Sequence, residues 1–181
     1  MWISKITFND IFEIDELYHY INERPRTETR ENTYVIPLMS HTPRQIVNFA
    51  VDNYKTAKII QPIIDNAPPA YQYNTDGYHT YMDIVFPGRH KRNYWDKKDT
   101  CRIESVNADL RHYIPGLRRR SRCFYRSLET LRAILSIFIN AYNKFGEAKH
   151  KRRQKLIETY GIGVKLHNWY KDPNICLFDF I

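Results

Sequence analysis

Between Phe12 and Asp76 the chain sets three short β-rich runs, one helical segment and a fourth β-rich run in that order. FEIDELYHYI (Phe12–Ile21) alternates imperfectly and is rich in β-formers. TYVIPLMS (Thr33–Ser40) and RQIVNFAV (Arg44–Val51) follow, parted by the break His41-Thr42-Pro43. Runs so closely spaced predict a meander of three strands. DNYKTAKIIQPIID (Asp52–Asp65) then places Ala57, Ile60 and Ile64 at helical spacing and ends in the NAPP of Asn66–Pro69. A helix therefore separates the meander from a fourth strand, YQYNTD, which is expected to enter the sheet beside the first strand and parallel to it.

Beyond Gly77 the pattern turns helical. YHTYMDIVF reads as a short helix or turn, followed by the basic stretch GRHKRNYW. In DTCRIESVNADLRHYI, Ile103, Val106, Leu110 and Ile114 form an apolar stripe, with Asp99 or Thr100 as the cap and Pro115-Gly116 as the stop. Glu104, Asn107 and Arg111 form a second stripe one step round. SLETLRAILSIFINAYNKF repeats the device with Leu128, Leu131, Leu135, Phe138 and Tyr142, and Gly146 is the expected end of that helix. The closing NICLFDFI reads as an apolar terminus that docks on the domain or on a partner.

A chain of 181 residues suits one domain, read here as residues 1–145 with a basic C-terminal extension over 146–181. Its three cysteines, Cys101, Cys123 and Cys176, are far apart, so neither a disulfide framework nor a zinc site is readable. Reduced thiols, no long apolar run and no greasy leader predict a cytoplasmic protein without a membrane partner. Charge is uneven along the chain. Met1 to Asp76 carries 7 Lys and Arg against 10 Asp and Glu, and Gly77 to Ile181 carries 21 against 10. The basic half calls for an anionic partner, and duplex DNA fits it best. The runs GRHKR (with Arg89, Lys91, Arg92), RRRSRCFYR (with Arg118, Arg119, Arg120, Arg122) and KHKRRQK (with Lys151, Arg152, Arg153) supply the candidate contacts.

Asp15 is expected in the middle of the first strand, Asp76 at the end of the fourth, and Glu104 on the polar flank of the helix after it. If the first and fourth strands are neighbours, Asp15 and Asp76 lie side by side, and a helix across that end brings Glu104 to them. Carboxylates sharing a pocket need raised pKa values or a hard divalent cation. Oxygen-only ligands favour Mg²⁺ or Mn²⁺, and a pair of such ions suits in-line displacement at a phosphodiester. Each acid also has a plainer reading. Asp76-Gly77 alone is an ordinary turn dipeptide, and Glu104 alone pairs with a basic neighbour such as Arg111. Tyr71, Tyr73, Tyr78 and Tyr81 read as sheet and helix packing, since no Arg and His cluster surrounds any of them.

These residues together resemble the IS1-family transposases, DDE recombinases with a ribonuclease H-like fold. The likeness is carried by Asp15-Glu16 in EIDELY, by Thr75-Asp76-Gly77, and by RIESVNADLR with Arg102, Glu104, Asn107, Leu110 and Arg111. The segment around Ser121 and the long helix continue it, from about Phe12 to Phe145. The resemblance implies an α/β fold whose mixed sheet, an antiparallel three-strand meander plus parallel strands, is flanked by helices. It implies Asp15, Asp76 and Glu104 as catalytic acids holding two Mg²⁺ (or Mn²⁺) ions, with Asn107 and Arg111 in support. The activity implied is cleavage at the ends of an insertion element and transfer of the freed 3′ hydroxyl into target DNA. A homodimer on DNA, in the nucleoid of a bacterium or archaeon, goes with it. No cysteine precedes Cys101, so the family's N-terminal zinc-binding and helix-turn-helix region is expected from an upstream reading frame. A hydrolytic nuclease of the same fold, or a non-catalytic basic DNA-binding regulatory product, are the alternatives.

Overall fold

The computed structural model describes residues 6–21, 31–42, 44–94, 100–118 and 125–160. Strands β1 (Ile11–Ile14) and β2 (Leu17–Ile21) both pair antiparallel with β3 (Glu31–Ser40), whose other side takes β4 (Ile46–Asp52). The meander is thus present, but its first strand is broken at Asp15 and Glu16. Register shows why: Ile14 faces Leu38 and Leu17 faces Val35, so the position opposite Asp15 is Pro37. Proline has no N–H to give to a ladder, and pairing lapses where Asp15 sits. Between β3 and β4 the chain turns through Arg44, which takes a left-handed φ of 52°.

Helix α1 (Ala57–Asp65) leads to β5 (Gln72–Asp76), which lies parallel to β1 with Ile11 beside Gln72 and Glu13 beside Asn74. The parallel insertion expected from the order of runs is therefore observed. A 3-10 segment over His79–Asp83 follows, as read from the sequence. The basic stretch after it, to which the sequence assigns no element, is a strand. Arg89–Asn93 forms β6, parallel to β5 and at the edge of the sheet. Helix α2 (Cys101–Tyr113), with Thr100 at its N-cap, and helix α3 (Leu128–Tyr160) complete the described chain. Gly146 does not stop α3, which spans 33 residues from Leu128 to Tyr160 and crosses the expected domain boundary. The C-terminal NICLFDFI, Cys123, Cys176 and Asp99 lie outside the described residues.

The result is an α/β protein whose mixed parallel and antiparallel sheet has helices on both faces. Phe12, Ile14, Ile36, Leu38 and Val47 pack on one face against Ile60, Ile63 and Ile64 of α1 and Tyr81 of the 3-10 segment. Leu17, Val35, Met39, Ile46 and Val51 pack on the other face against Ile103, Val106 and Leu110 of α2 and Leu131, Leu135 and Ile139 of α3. Alternation along each strand divides the residues between these two cores. Among the described residues, no helix is long and apolar enough to cross a membrane.

Candidate functional site

The parallel register of β1 and β5, continued by two residues, sets Asp15 beside Asp76 at the carboxyl ends of both strands. Neighbouring strands lie about 4.8 Å apart, so the two carboxylates share one end of the sheet. In sheets of this kind, ligands bind in the crevice outside the carboxyl ends of parallel strands. Glu16 joins them: Asp15, Glu16 and Asp76 each offer an oxygen within 4.8 Å of the others. Burial raises the Asp15 pKa above the ordinary carboxylate value. The charges of Asp76 and Glu104 add to the rise, against hydrogen bonds from the Glu16 backbone and Asn107.

Each of the three acids is held by its own donor, one from α2 and two from the 3-10 segment and its cap. Asn107 Nδ2 donates to Asp15 Oδ2 at 3.0 Å, and the Tyr78 backbone N–H donates to Asp76 Oδ1 at 2.8 Å. The Tyr81 hydroxyl donates to Glu16 Oε1 at 2.9 Å. Burial, with Glu16 beside it, pushes the Tyr81 phenol well above its usual pKa, so it stays protonated and donates. Burial also raises the Glu16 carboxyl, opposed chiefly by Lys55, whose Nζ lies 3.8 Å from Glu16 Oε2. That ammonium also sits 3.7 Å from the centroid of the Tyr78 ring.

Helix α2 is set against β1 by two polar contacts. Glu13, buried in mid-strand, accepts the Ile103 N–H at 2.7 Å and a hydrogen bond from His41. That N–H belongs to the first turn of α2, where no intrahelical acceptor exists and the helix dipole favours a negative charge. Four residues along the helix, Asn107 reaches Asp15. The helix advances about 6 Å over that span, and Glu13 to Asp15 spans about 6.6 Å on the strand, so both contacts close together. Asn107 is 5% exposed, and its Oδ1 has no hydrogen-bond partner.

Glu104 is exposed on α2 and near enough for its charge to act on Asp15, but it is not one of the three clustered carboxylates. Arg111 lies further along α2, with its charge on the buried His19 and Nη2 at 3.5 Å from the Tyr18 carbonyl. Arg89 and Lys91 are exposed on β6, paired with Gln72 and Asn74, and hence on the sheet face that carries Asp76. Arg92 points to the opposite face, half-buried, 5.5 Å from the Tyr94 ring. Arg118 is exposed and donates to the His112 carbonyl at 2.8 Å. Lys151, Arg152 and Arg153 fall on the last turns of α3, while Arg119, Arg120 and Arg122 lie outside the described residues.

Three residues at the site, Glu16, Tyr81 and Lys55, are not among those the sequence marks as catalytic or metal-binding. Glu16 was visible in EIDELY but overshadowed by Asp15, and Tyr81 read as packing. Lys55, 39 positions from Glu16, carries no local signal at all. Fold and site together define an α/β protein with a carboxylate cluster at the carboxyl ends of adjacent parallel strands. No family model matches the chain, and no curated protein matches its sequence.

Proposed function

We propose that this chain is the catalytic domain of a metal-dependent DNA strand-transfer enzyme, a DDE transposase of ribonuclease H-like fold resembling the IS1 family. The observation that carries the reading is the meeting of Asp15 and Asp76 at the ends of parallel neighbours β1 and β5, bridged to α2 by Asn107. The donors are all oxygens, and the buried Asn107 Oδ1 still lacks a partner, which suits a hard divalent cation such as Mg²⁺ or Mn²⁺. Asp15 and Asp76 would hold it, with Glu104 reaching in from α2. Such an ion, when bound, supplies Lewis-acid activation at a phosphodiester.

The chain's own residues do the rest. Asn107 holds the Asp15 carboxylate in one orientation, and the Tyr78 N–H does the same for Asp76. Arg89 and Lys91, on the Asp76 face of the edge strand, meet the DNA backbone as it enters. The test is nicking and end-joining of plasmid DNA in Mn²⁺. Wild type is expected to nick and to join a pre-cut 3′ end, and Asp76→Ala and Asp15→Ala are expected to do neither. Nicking that persists unchanged in both variants removes the assignment, and nicking without joining reduces the enzyme to a nuclease.

A further inference from the structure

We propose that Glu16 exchanges its ion pair with Lys55 for the divalent cation, so that Lys55 is the resident counter-ion of the site and sets its affinity for metal. The inference rests on the reading of the acidic cluster as a metal centre. Three carboxylates within 4.8 Å of one another repel strongly, and neutral donors offset that only in part. Asn107, the Tyr78 N–H and the Tyr81 hydroxyl are all neutral. Lys55 brings a full positive charge to the cluster, and it brings it to Glu16.

The contact is built to be exchangeable. At 3.8 Å the Nζ to Oε2 separation exceeds a good charge-assisted hydrogen bond, which runs to about 2.9 Å. Lys55 rests instead over the Tyr78 ring at 3.7 Å and faces that of Tyr34 at 5.5 Å. Its side chain keeps 27% of its exposure, so a route to water is open, whereas that of Glu16 keeps 6%. The Tyr81 hydroxyl occupies Oε1, so Glu16 can release Lys55 from Oε2 without losing its anchor. Across the cluster, Asn107 Oδ1 is buried without a partner beside Asp15, an acceptor that the lysine does not serve. A divalent cation among Asp15, Glu16 and Asp76 offsets two of their three negative charges where Lys55 offsets one, and it competes with the ammonium for Glu16 Oε2.

Mn²⁺ affinity, measured calorimetrically at pH 8 on the full chain, tests this without any need for activity. Lys55→Met is expected to bind Mn²⁺ about tenfold more tightly than wild type and Glu16→Gln about tenfold more weakly, with Lys55→Arg close to wild type. Lys55→Gln serves if the methionine variant fails to fold, as judged by thermal melting. Unchanged or weaker binding after loss of the charge overturns the proposal. If wild type binds Mn²⁺ and Asp76→Asn does not, that result falls on Lys55 alone. If wild type itself binds none, the metal-centre reading falls too.

Discussion

Glu13 is 1% exposed inside β1, a place where an unpartnered carboxylate would be costly. It is tolerated because the first turn of α2 and His41 both face it, and it thereby decides where α2 lies. Glu13→Ala leaves the Ile103 N–H buried without an acceptor. Chemical denaturation is expected to show a loss of about 2–3 kcal/mol, with weakened Mn²⁺ binding as α2 shifts away from Asp15. Gly77 matters for room rather than for backbone freedom: a Cβ there would lie 2.6 Å from the Tyr94 ring. His19 is held below the usual imidazole pKa by burial and by the charge of Arg111. Because the unfolded chain binds that proton more tightly, the contribution is complete above about pH 6.5 and is lost as pH falls through the lower folded value. Melting temperatures between pH 7 and pH 5 are expected to fall less steeply in His19→Gln than in wild type.

Helix α3 closes the open edge of the sheet. An edge strand presents unpaired N–H and C=O groups, and β4 would do so along its outer side. The carboxamide of Asn143 makes both missing bonds at Ile46, accepting from its N–H and donating to its carbonyl, each at 2.9 Å. Eleven residues earlier, Arg132 donates to the Val51 carbonyl at 2.6 Å, so the helix is fastened to β4 near both ends of the strand. Asn143→Leu is expected to destabilise the fold by about 2–4 kcal/mol in urea unfolding, since it orphans two buried backbone groups. The other edge, β6, is guarded differently, by the exposed charges of Arg89 and Lys91.

At the scale of the molecule, acid and base are placed on one sheet face. Asp76 ends β5, and the basic β6 runs beside it, so an anionic polymer drawn to the edge strand would pass the carboxylate cluster. Binding of duplex DNA is expected to weaken steeply with salt. The paired change Arg89→Ala and Lys91→Ala should reduce the log–log slope by about 2, and an unchanged slope would mean that this edge does not meet DNA. Much of this arrangement was legible beforehand. The order of apolar runs and breakers determined the meander, the helix and the parallel entry of β5, because strand pairing follows from short connections and crossover length. Asp76 came with it as the end of β5, whereas Asp15, expected in the middle of the first strand, stands at a strand end because that strand breaks opposite Pro37. Other features were decided only by tertiary structure. Arg89–Asn93 became a strand because β5 offered it an open edge, which no periodicity in five polar residues reveals. Gly146 stayed helical although its type favours a stop. Lys55 and Tyr81 reached Glu16 across 39 and 65 positions, and contacts so distant in sequence exist only once the sheet has closed around them.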